Sequence, residues 1–167
     1  MEKQFKKSEL FKSIKNNDMA TFEAHINSPK FTIDIRDGFG ESPLIVACEN
    51  GNEAMVKKLL EKKPSIELES KLGKTALMAA IGHYELRRGP QTCFPNIIAL
   101  LLDAGASCEH ITSYGNPLKM ALMKPEALLI FVSKINFDLK LLMKAGYDQF
   151  DIETINRCII KYNNEKK

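Results

Sequence analysis

The chain has 167 residues, enough for one domain, and its 44% hydrophobic content is ordinary for a folded protein. A formal net charge of +3 is too small to argue for a nucleic-acid partner, and no apolar run approaches the ~20 residues that span a bilayer. The opening Met1-Glu2-Lys3-Gln4-Phe5-Lys6-Lys7 lacks the apolar stretch of a secretory signal, and Cys48, Cys93, Cys108 and Cys158 have no disulfide-framework spacing, so a cytoplasmic setting is expected.

One phrase recurs along the chain. Gly40-Glu41-Ser42-Pro43-Leu44-Ile45-Val46-Ala47 returns 33 residues later as Gly73-Lys74-Thr75-Ala76-Leu77-Met78-Ala79-Ala80, and a worn copy reads Gly115-Asn116-Pro117-Leu118-Lys119-Met120-Ala121. A fixed period in this range means stacked supersecondary units. In each copy a glycine permits the positive φ of a tight turn. Ser42, Thr75 or Asn116 then caps a helix start, and Pro43 and Pro117 sit at the first helical position, where a missing N–H costs nothing. The Leu-x-x-Ala that follows puts both residues on one helix face, and the small alanine lets a neighbouring helix come close.

In chain order, the period first runs backwards from Gly40. A shift of 33 places Phe11 on Leu44, Ile14 on Ala47, Phe22 on Met55, Ile26 on Leu59 and Ile33 on Ile66. This predicts an N-terminal capping unit over 8–36, with an outer face rich in Lys and Asn. The unit at 37–69 pairs its capped helix with a second one carrying the apolar stripe Met55, Val56, Leu59 and Leu60. The unit at 70–111 has the corresponding stripe at Ile97, Ile98, Leu101 and Leu102. Its Val56-to-Ile98 step of 42 residues leaves about nine extra residues at 82–95, either a decoration of the binding side or a neutral loop extension. A degenerate unit follows at 112–138, with a helix beginning near Pro125, and two closing helices, Leu139 to Ala145 and Asp151 to Tyr162, form a C-terminal cap over 139–162.

The pattern resembles the ankyrin repeat, a β-turn finger followed by two antiparallel helices, over roughly residues 8 to 139. Asp37, Gly40, Ser42-Pro43-Leu44, Ala47, Gly51 and Leu59-Leu60 carry the likeness in one unit. Gly73, Thr75, Leu77, Ala79-Ala80, Leu101-Leu102 and Gly105-Ala106 carry it in the next. The family's histidine in its Thr-Pro-Leu-His phrase is replaced by Ile45, Met78 and Lys119, which removes a side-chain hydrogen bond often made in this fold. The resemblance implies an all-α solenoid of about three recognisable repeats between terminal caps. It also implies a non-catalytic module that binds another protein through its turns and concave helix face.

Laid side by side, the turns carry Phe39, Leu72 and Tyr114 just before the turn glycine. Turn residues are ordinarily polar, so an apolar choice repeated three times predicts a contact stripe of roughly 20 Å, given helix-packing spacings of about 10 Å. Glu41, Lys71, Lys74 and Ser113 would ring it as a hot-spot rim. By the resemblance, Asn50 and His83 extend the surface at the exits of the first helices, and Arg87 and Arg88 add charge from the insertion. The alternative arrangement folds the three apolar residues back between the turns.

Other chemistry finds little footing. Lys3, Lys6, Lys7, Lys12 and Lys15 are separated by the solenoid from Lys71, Lys74, Arg87 and Arg88, so a continuous phosphate-tracking face, and with it a nucleic-acid partner, is not expected. His83-Tyr84-Glu85 lacks the Pro-Cys-x-x-Cys that a zinc deaminase needs. His25 reads as packed or solvated. Cys108-Glu109-His110 with Cys93 offers zinc-ligand residue types, but the cysteine is expected inward and the histidine outward. No enzyme activity, cofactor, metal or membrane partner is expected, and the free chain is expected to be monomeric. The alternatives are a ligand or metal site at 82–95 and a microbial effector acting on a host protein.

Overall fold

The computed structural model describes residues 5–82 and 93–165, with the Cys93 side chain excepted. Among these residues it contains ten helices and no strand. They are α1 (Lys7–Lys15), α2 (Met19–Ile26), α3 (Pro43–Glu49), α4 (Glu53–Glu61), α5 (Ala76–Gly82), α6 (Cys93–Asp103), α7 (Pro117–Leu122), α8 (Pro125–Lys134), α9 (Leu139–Lys144) and α10 (Gln149–Glu165).

The helix starts follow from local chemistry. The Ser42 hydroxyl accepts from the Ile45 N–H at 3.3 Å, Thr75 accepts from Met78 at 3.3 Å, and the Asn116 side chain accepts from Lys119 at 3.0 Å. Each cap satisfies an amide with no partner inside the helix, a contribution of about 1 kcal/mol. Pro43 and Pro117 stand in the first turn of α3 and α7. Outside the repeated phrase, Asp18 caps α2 and Asp138 caps α9 in the same way.

Helices pair in sequence, α1 with α2, α3 with α4, α5 with α6, α7 with α8 and α9 with α10. The first members α1, α3, α5 and α7 stack in one row, while α4, α6, α8 and α10 pack successively in a second. Position in the row explains composition. Helices α3 and α5 have neighbours on both sides and a partner behind them, so Pro43 to Cys48 and Ala76 to Ile81 are all buried. End helix α1 is amphipathic, hiding Leu10, Phe11 and Ile14 and exposing its lysines. Each large side chain buried in this way contributes roughly 1.5–3 kcal/mol.

At the far end, α10 packs on α8 and also reaches α7. Leu142, Tyr147 and Ile155 supply the buried contacts of the last helix pair. The Tyr147 hydroxyl donates to the Asn116 side chain at 3.1 Å, tying the closing helices to the start of α7.

Where the family's histidine would stand, Ile45 and Met78 are fully buried and Lys119 is exposed. A weaker link survives at one of these positions, because the Thr112 hydroxyl donates to the Met78 sulfur at 3.7 Å.

Two glycines separate conformational from packing constraints. Gly73 has φ +77°, and a Cβ there would lie 3.1 Å from the backbone nitrogens of both Ser113 and Tyr114. Gly105 has φ +92° with open space where its Cβ would be. Gly105→Ala is therefore expected to cost only the left-handed term, about 1–2 kcal/mol. Gly73→Ala should cost clearly more, because the neighbouring turn must also shift. Urea midpoints of the two variants test this, and equal losses would contradict the close approach of the turns.

Candidate functional site

Three turns project from the starts of α3, α5 and α7. In the first, the Asp37 carboxylate accepts from the Phe39 and Glu41 N–H groups at 2.8 and 3.0 Å, while the Asp37 N–H donates to the Glu41 carbonyl at 2.9 Å. Ser70 does the same in the second turn, its hydroxyl accepting from Leu72 and Lys74 at 3.3 and 3.1 Å. Thr112 organises the third, accepting from Tyr114 at 3.0 Å. These side-chain-capped turns fix which residue stands at each tip.

The third turn closes differently. The Thr112 N–H donates to the Gly115 carbonyl, whereas Ser70 donates to Lys74, one residue beyond its glycine. Gly115-Asn116-Pro117 is one residue shorter than Gly40-Glu41-Ser42-Pro43, so nothing in the third turn corresponds to Glu41 and Lys74. Gly115 accordingly has φ 147°, against 75° and 77° for Gly40 and Gly73.

Successive turns are stitched together. The Lys71 N–H donates to the Phe39 carbonyl at 3.0 Å and the Lys71 ammonium to the Gly38 carbonyl at 2.8 Å. The Ser113 hydroxyl repeats the link one unit on, donating to the Leu72 carbonyl at 3.2 Å. Arg36 reaches the Glu69 carbonyl at 2.6 Å, and the His110 ring lies 3.0 Å from the Glu69 carboxylate.

The apolar tip residues point outward. Phe39 is 69% exposed, Leu72 70% and Tyr114 43%, so they are not folded back between the turns. Between the first two lies a groove of about 430 Å³ lined by Lys15, Phe39, Glu41, Glu49, Ser70, Lys71 and Leu72.

The charged residues expected to ring the stripe divide. Lys71 and Ser113 are exposed, with their side chains engaged in the turn-to-turn links. Glu41 and Lys74 are buried instead, because they pair with each other: the Lys74 ammonium lies 2.6 Å from Glu41 and 3.0 Å from Glu49. They belong to the floor of the groove and not to a free rim. Desolvation pulls the Lys74 pKa down, but the hydrogen bonds and charges of Glu41 and Glu49 outweigh it and hold the ammonium above its ordinary value.

Sequence reading missed this triad, although the signal was present. Glu41 and Lys74 occupy the same repeat position 33 residues apart, so adjacent turns bring opposite charges together.

Asn50 ends α3, and its side-chain amide donates to the Val46 carbonyl at 2.8 Å. His83, Arg87 and Arg88, with most of the 82–95 insertion, lie outside the described residues.

A second pocket of about 310 Å³ opens beside the shortened third turn, lined by Ile111, Gly115, Asn116, Lys119 and Tyr147 among others. There the Lys119 ammonium sits 5.3 Å from the Tyr147 ring centroid.

The remaining candidates for chemistry are occupied structurally. His25 is 1% exposed, with Nδ1 2.8 Å from the Thr21 carbonyl. Burial raises the thiol pKa of Cys48 and Cys158, and that of Cys108 to about 11 with help from Glu109, which disfavours the reactive thiolate in each. No three His, Cys, Asp or Glu side chains group as a metal site among the described residues. Nor is any described helix long and apolar enough to cross a membrane.

Comparison with known proteins follows the geometry. A family model described as ankyrin repeats in three copies matches residues 10–112, ending where the shortened third turn begins. One chain of the solved structure of the predatory endopeptidase Bd0816 from Bdellovibrio bacteriovorus in complex with immunity protein Bd3460 is similar in fold. The two share 20% identity at a TM-score of 0.59, over 98% of this chain and 100% of that one. Comparison with curated proteins found no match.

The triad generates a prediction. Lys74→Met leaves two carboxylates together in a poorly hydrated groove, and the loss is expected to be about 1–3 kcal/mol. That is below the 3–5 kcal/mol of a fully buried pair, because Glu49 keeps solvent contact. Adding Glu41→Gln should recover part of it. The native ammonium titrates above 10.5, so its stabilisation is complete below pH 10.5 and fades as pH rises through the native pKa. Urea titrations at neutral and strongly alkaline pH test both, and a Lys74→Met protein as stable as the native chain would refute the triad's role.

Proposed function

The chain belongs to the ankyrin-repeat family, and from that premise we propose that it is a non-catalytic module that binds a partner protein with its row of turns. The observation that carries this reading is the exposure of Phe39, Leu72 and Tyr114 at one repeat position in three consecutive turns. Each turn is fixed by its own Asp, Ser or Thr cap and linked to the next, so the row meets a partner with little entropy left to lose. Large apolar side chains held rigidly at the surface, with polar groups around them, are the anatomy of a binding hot spot.

The mode of action we propose is masking, in which the partner's own working surface is covered by the turns. The solved structure with the similar chain joins an endopeptidase to an immunity protein, a pairing in keeping with such a role. Lys71 and Ser113 belong to the proposed surface at the rim, Glu41 and Lys74 support it from below, and Asn50 borders it. His83, Arg87 and Arg88 are proposed contacts from the insertion.

The test is retention of a partner from lysate by the native chain and by Phe39→Ala/Leu72→Ala/Tyr114→Ala, with circular dichroism on both. Since the three side chains are exposed, the variant should keep its helical signal and thermal midpoint. Loss of about 2 kcal/mol or more of binding, roughly thirtyfold in Kd, is expected. Equal retention by both proteins would move the binding surface elsewhere.

A further inference from the structure

The groove between the first two turns has two exposed apolar walls, Phe39 and Leu72, and a charged floor. On that floor two carboxylates, Glu41 and Glu49, share one ammonium, Lys74, so negative charge is in excess there. We infer that this groove receives an arginine side chain of the partner protein. Its aliphatic stem lies between Phe39 and Leu72, and its guanidinium stacks on the Phe39 ring and donates toward Glu49. The inference rests on the turn row being the binding surface and names the partner chemistry at one end of it.

The Phe39 ring already attracts a cation. The Lys15 ammonium lies 6.0 Å from its centroid, a cation–π arrangement, while also 4.0 Å from the Asp37 carboxylate. A ligand that combines apolar length with a terminal positive charge matches walls of one character and a floor of the other. A purely apolar side chain would desolvate the carboxylates without replacing their hydrogen bonds, and an acidic one would meet like charge. Arginine fits better than lysine, since its planar guanidinium is weakly hydrated, stacks on aromatic faces and presents several donors to paired oxygens.

The rim includes two cations of its own. The Lys71 ammonium is held by the Gly38 carbonyl at 2.8 Å. Lys15 is exposed and shares the Phe39 ring, so it competes with the incoming guanidinium. This gives the inference an unusual sign: removing a surface lysine should strengthen binding of the partner's arginine.

The experiment is an NMR titration of the full chain with N-acetyl-arginine amide, following the Phe39 ring and Leu72 methyl signals. N-acetyl-citrulline amide serves as the uncharged isostere. Saturable shifts at both residues are expected with arginine, weaker by about five- to tenfold for citrulline and for Glu49→Gln, the scale of one charge-assisted hydrogen bond. Phe39→Ala should abolish the response. Lys15→Ala should tighten it by roughly two- to fivefold, the worth of an exposed cation–π contact. Phe39 and Lys15 are surface side chains, so these two variants carry the test even if Glu49→Gln fails to fold.

An equal response to citrulline, arginine shifts confined to other residues, no response, or weaker binding by Lys15→Ala would each overturn the inference. A lysate partner lost on triple alanine substitution, with no arginine response, sinks the arginine site alone. A partner indifferent to that substitution sinks the turn-row reading and this inference with it.

Discussion

The fold depends on turn-to-turn contact at the period of the repeat. The Phe39 carbonyl accepts from the Lys71 N–H, and the Leu72 carbonyl accepts from the Ser113 hydroxyl. That contact requires the chain to come closer than a Cβ at Gly73 would allow. Once adjacent turns are joined, the helices behind them have no freedom of register. Helix α3 must lie against α1 and α5, and its all-apolar surface then has somewhere to go on every side. Repeats of this kind cannot bury their faces alone, so each interface stabilises both of the units that it joins.

The same contact displays the candidate binding residues. A turn that is capped from within by Asp37, Ser70 or Thr112, and tied to the next turn through its backbone, leaves its tip side chain with one direction, outward. Phe39, Leu72 and Tyr114 are held there at the expense of exposed apolar area. The buried triad of Glu41, Lys74 and Glu49 adds a charged floor, and it stops at the second turn because the third is one residue short. The surface is thus graded along its length, charged beneath the first two tips and open beside the third, where Lys119 and Tyr147 line a separate pocket.

Much of this was legible in the sequence because it is locally determined. Ser42, Thr75 and Asn116 announce helix starts through chemistry that acts within three residues, and the 33-residue offset predicted the buried Phe11, Ile14, Phe22 and Ile26 of the first unit. The stripe of tip residues could be read as well, since only one position before each glycine was needed. The fate of Glu41 and Lys74 was not read correctly, because a charge in a turn looks solvated until the neighbouring turn is placed beside it. Tyr147 was missed for a related reason. Its burial and its bond to Asn116 come from the closing helices folding back on α7, a contact with no repeat period to announce it.

The central claim is that a partner protein meets the turn row and not the outer helices. Site-specific photo-crosslinking tests it most directly, with benzoylphenylalanine placed at position 72 on a turn tip or at position 57 on α4, where Lys57 is 54% exposed. In lysate of the producing organism, the account predicts one discrete crosslinked protein from position 72 and none from position 57. Crosslinks from position 57 alone, or the same product from both positions, would contradict it.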